Sequence, residues 1–254
     1  MVQKKGGGPK GGPRQPDMTR GGRGQRGAGL SGRGLTERVK TAHKRTASST
    51  RWLERQLNDP YVAEAKKRGF RSRAAFKLLQ LDERFHFLKP GARVVDLGAA
   101  PGGWSQVAAE RVLKSGKGKM VGIDILEMEP LPGVSLLHLD FMADEAPEKL
   151  KALLEGEADV VLSDMAAPAT GHQRTDHLKI VALAETAYAF AAEVLAPGGT
   201  FIAKVLQGGA TGDLLKALKR DFAELRHVKP PASRKDSAEI YVVALGFRGQ
   251  HRAS

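Results

Sequence analysis

A chain of 254 residues with 41% hydrophobic and 27% charged side chains is long enough to bury a core, and its lack of cysteine excludes disulfide scaffolds and cysteine-ligated metal. The formal net charge of +13 at pH 7 points to a polyanionic partner, nucleic acid before membrane, because a basic surface attracts phosphates over long range. That charge is uneven: the first 50 residues hold 12 Lys/Arg against Asp17 and Glu37, leaving 29 basic and 26 acidic residues for the other 204.

Residues 1 to about 34 are Gly, Arg, Lys and Pro with almost nothing apolar to bury, so a disordered basic tail is expected over 1–46 and one folded domain over 47–250. The tail reads as an arm that grips RNA without sequence preference, or as a solubilising segment. The opening MVQKKGGGPKGG lacks the apolar run of a signal peptide, and the most apolar helical stretch, Ile180–Leu195, carries Glu185 and Glu193 and is too short to span a bilayer. A cytoplasmic protein with no membrane partner is expected, acting as a monomer.

Tyr61–Gly69 and Arg73–Phe85 have the spacing of helices. Arg93–Leu97 reads as a buried strand, Ser105–Leu113 as a helix, Met120–Ile125 and Val134–Leu139 as strands, Pro147–Leu154 as a helix and Asp159–Asp164 as a strand. A long helix over His177–Leu195 is stopped by Pro197-Gly198-Gly199. Strand Thr200–Leu206, helix Asp213–Phe222 and strands Leu225–Lys229 and Glu239–Phe247 complete the chain. Strands alternating with helices predict an α/β, Rossmann-like fold: a mostly parallel seven-stranded sheet with helices on both faces. Only residues 230–238 separate the last two strands, too few for a helical crossover, so those two form an antiparallel pair at the sheet edge.

Ligands of such sheets bind beyond the carboxyl ends of the strands, where Asp96, Asp124, Asp140, Asp164 and Lys204 fall. Asp96-Leu97-Gly98-Ala99-Ala100-Pro101-Gly102-Gly103-Trp104 is a glycine-rich turn between a strand and a helix, with Pro101 expected in the first helical turn. It fits neither the pyrophosphate fingerprint G-x-G-x-x-G nor the lysine-bearing P-loop. Asp96 would repel a phosphate and welcome an ammonium or sulfonium, which is the electrostatics of S-adenosylmethionine. Asp124 can accept the hydroxyls of a ribose, and Asp140 the amino group of an adenine. Any one of these aspartates could be a turn or capping residue; three successive strands each ending in Asp argue for a site.

These motifs, with Ser48–Trp52, Arg71–Leu78, Ser163–Ala166, Leu195–Gly199, Lys204–Gly208 and the run from Lys229 to Tyr241, closely resemble the FtsJ/RrmJ (RlmE) family of large-subunit ribosomal RNA methyltransferases. The resemblance covers Ser48 to Phe247. It implies a Rossmann-like methyltransferase that uses S-adenosylmethionine to methylate a ribose 2′-oxygen, in bacteria a uridine of 23S rRNA in the large ribosomal subunit. It also implies a catalytic set of Lys77, Asp164, Lys204 and Glu239, and cofactor contacts at Gly102, Trp104, Asp124, Asp140 and Asp164, to which the turn itself adds Asp96 and Gly98. Ala75, Asp236 and Ala238, and the proline after Asp164, shifted by one in Ala167-Pro168, depart from many relatives and bear on the RNA-facing surface.

Lys204, at the end of a strand, is the candidate base. A base must be neutral; the second cation Lys77 favours loss of its proton, whereas Asp164 and Glu239 oppose it. Two versions stay open: a neutral Lys204 takes the proton, or a charged one orients the hydroxyl. RNA contacts are expected from Arg51, Lys66, Lys67, Arg71 and Arg73, with Arg234 and Lys235 opposite. The seven histidines make no ligand-spaced set with acids, so no metal is expected. Two rivals remain: a nicotinamide dehydrogenase, disfavoured by the missing fingerprint, and a non-catalytic ribosome-assembly factor, disfavoured by the complete set of four catalytic residues.

Overall fold

The computed structural model describes residues 46–167, 170–207 and 212–249, so the expected tail lies outside the described residues except for Thr46. Three helices come first: α1 (Ala47–Leu57), α2 (Pro60–Arg68) and α3 (Ala75–Phe85). Then follow β1 (Arg93–Leu97), α4 (Gly103–Val112), β2 (Lys119–Asp124), β3 (Val134–His138), α5 (Ala146–Leu154), β4 (Ala158–Ser163) and α6 (Gln173–Val194). The chain closes with β5 (Leu195–Leu206), α7 (Gly212–Asp221), β6 (Phe222–Val228) and β7 (Glu239–Phe247). The seven strands form one sheet in the order β3-β2-β1-β4-β5-β7-β6. β3, β2, β1, β4 and β5 run parallel, and β7 inserts antiparallel between β5 and the edge strand β6, as the short 230–238 connection predicts.

Three features differ from the sequence reading. α1 was folded into no predicted element; Thr46 caps it by accepting a hydrogen bond from Ser49 N. β5 starts at Leu195, so Pro197-Gly198-Gly199 ends α6 but already belongs to the strand, which pairs with β4 through an irregular register. Pro101 lies in the turn before α4 rather than in its first turn, the helix beginning at Gly103.

Strand alternation sorts the core into two layers. Val95, Leu97, Val121, Ile123, Val161, Phe201, Ala203 and Val242 face α5, α6 and α7. Val94, Met120, Val160, Leu162, Ile202, Tyr241 and Val243 face α3 and α4. Asp96 and Lys204 lie two residues from Val94 and Ile202, and so share the α3/α4 side; that single fact places most of the site. α2 is fixed by its ends: Asp59 accepts from Tyr61 N, Pro60 begins the helix, and Gly69 closes it at φ +70°. Among the described residues no helix is long and apolar enough to cross a membrane, and no group of His, Cys, Asp and Glu could hold a metal.

Candidate active site

The carboxyl ends of β1, β2, β3 and β4 open into a cavity of about 740 Å³ lined by Gly98, Asp124, Ile125, Leu126, Asp140, Phe141, Met142, Asp164 and Met165. Three carboxylates thus stand on an otherwise largely apolar wall. Asp124 Oδ2 accepts from Ala100 N at 2.9 Å and Oδ1 from Leu126 N at 2.8 Å, so one side chain shapes both the glycine turn and the loop after β2. Each carboxylate oxygen retains a second acceptor site, which leaves capacity for a diol. Asp140 Oδ1 accepts from Met142 N at 2.9 Å.

Asp96 is placed differently from what its charge suggests. It is not among the residues lining the cavity; it is fully buried on the α4 side of β1, where Ser105 Oγ donates to Oδ2 at 2.7 Å and Oδ1 has no partner. Burial pushes its carboxyl up to about 7, with nearby Asp164 and Asp124 adding to the rise and the Ser105 bond opposing it. Alternation along RVVDL explains the placement, because Asp96 must share a face with Val94. Gly102 and Trp104 also lie outside the cavity lining. Gly102 sits at φ +106°, a conformation that favours glycine. Trp104 is buried, donates Nε1 to Ala74 O at 2.9 Å and packs tilted against Tyr241, ring centres 5.5 Å apart.

Asp164, in the cavity lining, is joined to a chain of further side chains. Lys204 Nζ donates to Asp164 O at 2.8 Å and stands 3.3 Å from Asp164 Oδ1. Tyr241 Oη donates to the same Oδ1 at 2.8 Å and accepts from Lys77 Nζ at 3.0 Å. Lys77 Nζ also reaches Glu239 Oε2 at 3.4 Å. Lys77 is 8% and Lys204 6% exposed, so both side-chain nitrogens are held by these partners rather than by water. All four expected catalytic residues therefore converge, from α3, the residue just after β4, β5 and β7.

Tyr241 is the member that sequence reasoning missed. Burial, followed by the charge of Asp164 and the bond to it, holds its phenol well above the usual range, so it keeps its proton to donate. The signal was available: period-two alternation puts Tyr241 on the face of Glu239, and the antiparallel register sets it opposite Lys204. A buried tyrosine in a strand also calls for a partner to its hydroxyl.

The expected RNA contacts separate into two groups. Lys66, Lys67 and Lys235 are exposed. Arg73 Nε and Arg234 Nε lie 3.0 and 3.3 Å from Asp59 Oδ2, where they fasten the 230–235 loop to α2, and Arg73 also donates to Ala232 O. The Arg71 guanidinium is occupied by backbone carbonyls. Arg51 belongs to α1, and its side chain lies outside the described residues.

Residues 70–247 match the model of the FtsJ-like methyltransferase family. The chain is 67% identical over 215 residues to "Ribosomal RNA large subunit methyltransferase E" of Paramagnetospirillum magneticum, covering 84% of this chain and 88% of that one. It is 64% identical over 214 residues to the protein of the same name from Xanthobacter autotrophicus, covering 84% of each. Among solved structures, one from Plasmodium falciparum described as a ribosomal RNA methyltransferase superposes with a TM-score of 0.64 at 36% identity, over 71% of this chain and all of the other.

Proposed function

The chain belongs to the FtsJ-like methyltransferase family, and on that premise we propose that it moves a methyl group from S-adenosylmethionine to a ribose 2′-hydroxyl, at a uridine of 23S rRNA in the large ribosomal subunit. The named relatives support the ribosomal RNA substrate. One observation carries the rest: Lys77, Tyr241, Lys204 and Glu239 are linked to one another through Asp164, which itself lines a cavity of carboxylates and apolar groups.

The lining suits the donor. Asp124 would hold the ribose hydroxyls, Asp140 the adenine amino group, and Asp164 faces both the donor side and the lysines. The cavity offers apolar walls for a base and carboxylates for a cation, and its turn lacks a pyrophosphate fingerprint, which disfavours a dinucleotide. When bound, S-adenosylmethionine supplies a methyl group on a sulfonium, a good leaving group, so this chain's residues have only to place the acceptor oxygen and remove its proton.

Lys204 takes that role. Its Nζ is held against Asp164, which lines the cavity, and Tyr241 links that carboxylate to Lys77. Asp164 and Glu239 fix the two lysines in place. A second reading is favoured by the pair of acceptors on Lys204 Nζ: a charged Lys204 points the oxygen's lone pair at the methyl group while water takes the proton. A pH–rate profile at saturating substrates separates them, since a base gains activity as pH rises and a charged positioning group loses it. Lys66, Lys67 and Lys235 are assigned to phosphates of the RNA, and the basic segment 1–46 to non-specific grip, in a cytoplasmic setting.

The decisive experiment offers the purified chain ribosomes whose 23S rRNA lacks the mark, supplies tritiated S-adenosylmethionine, and maps the product. Ribose 2′-O-methylation at one uridine is expected. No incorporation, or methylation of a base, overturns the reading.

A further inference from the structure

The connector between α2 and α3, residues 69–74, lies flat on the first turn of α4. Gln106 clamps it from both sides, accepting from Arg71 N at 3.1 Å and donating to Gly69 O at 3.0 Å. Gly103 permits the close approach, because a Cβ there would lie 2.2 Å from Ser72 Oγ. From this anchored backbone the Arg71 side chain crosses directly over Gly102: a Cβ at Gly102 would lie 2.8 Å from Arg71 Cδ and 3.1 Å from Met128 Sδ. The guanidinium ends on the loop between β2 and β3, donating Nη1 to Glu129 O at 2.5 Å and Nη2 to Pro130 O at 2.7 Å.

That loop needs a fastening. It opens with Ile125 and Leu126, which line the large cavity yet are 58% and 63% exposed, so little packing of their own holds them. Asp124 and His138 pin only its first two residues, through Leu126 N and Ile125 O. Arg71 holds its middle, and the same connector leads into α3, which carries Lys77. One side chain therefore ties three parts together: the glycine turn, the cavity wall, and the segment before a catalytic helix. A guanidinium whose two arms are spent on carbonyls is not presenting its fork to a phosphate.

We infer that Arg71 is a positioning residue for the methyl donor, latching the 125–133 loop over the glycine turn, and not an RNA contact. The inference rests on the donor site proposed above. The test compares Arg71→Ala and Arg71→Lys with the wild type, by calorimetric titration of S-adenosylmethionine, by RNA affinity across a salt series, and by steady-state kinetics. Loss of two backbone-directed hydrogen bonds is expected to weaken donor binding about tenfold in Arg71→Ala. Arg71→Lys keeps the charge but not the fork, and is expected to weaken donor binding by about threefold. In both, kcat at saturating donor and RNA affinity stay near wild type and the apoprotein remains folded, so only KM for the donor moves. An RNA contact would give the reverse pattern: donor affinity unmoved, RNA affinity reduced in Arg71→Ala but kept in Arg71→Lys, and a salt slope shallower by about one. That pattern, or donor affinity unmoved in both variants, overturns the inference. A wild-type chain that fails to bind the donor at all overturns the functional reading, and this inference with it.

Discussion

The carboxylate-lined cavity and the network joined to it through Asp164 are built on different principles. On the β1–β3 side, Asp124 and Asp140 bind backbone N–H groups of their own loops and of the neighbouring glycine turn, over separations of 2 to 24 residues. On the β4–β5–β7 side, side chains hold other side chains, with Lys77 and Glu239 162 residues apart and Tyr241 and Asp164 77 apart. A wall made by local turns shapes a pocket and depends on backbone geometry. A wall made by a long-range network of charges places protons, and depends on the whole sheet keeping its register. The first should therefore govern donor affinity and the second turnover.

Lys204→Ala tests that division most severely. It should lower transfer by about a thousandfold, in the range for removing a general base, while donor affinity measured by titration stays within about twofold. Unchanged turnover would remove Lys204 from the mechanism. Asp124→Ala is the converse: it cuts two backbone bonds to a carboxylate and should weaken donor binding by about a hundredfold, with RNA affinity preserved. If donor affinity holds, the local wall is not the donor wall. Tyr241→Phe sharpens the comparison within the network. It keeps the ring on Trp104 but removes the hydroxyl between Lys77 and Asp164, and should lower kcat about tenfold with KM for the donor unchanged.

The same division accounts for what could be read before the structure. β1 and β7 are bounded as predicted, because short apolar runs end at Gly or begin after turn residues. The aspartates of the local wall were visible as strand ends. The charge of Asp96 is legible in the sequence but its face follows only from alternation; two residues from Val94, it lies under α4. Tyr241 and the partners of Arg71, Arg73 and Arg234 are long-range facts. Net charge shows that a guanidinium is present, but not that Asp59 or a loop carbonyl has already engaged it. α1 was masked by its polar composition, and by a cap at Thr46 that resembles the tail before it.

Asp96, buried behind the cavity lining, gives a test read in stability rather than in binding or turnover. Its carboxyl is raised from 3.8 to about 7 by complete burial, so the folded chain holds this proton more tightly than the unfolded one. The sign follows. Below the unfolded value both states are protonated and the group costs nothing. As pH rises towards 7 the unfolded state sheds its proton first, and stability declines. Above the folded value the loss is complete, on the order of 4 kcal/mol at most. Asp96→Asn has no proton to lose and can still accept from Ser105, so its melting temperature relative to wild type should climb between about pH 4 and 7 and level off above that. A difference that is flat with pH would mean that Asp96 is charged in the folded protein. It would then need a cation or water at its unpaired oxygen, and the buried side of β1 would belong to the donor pocket after all.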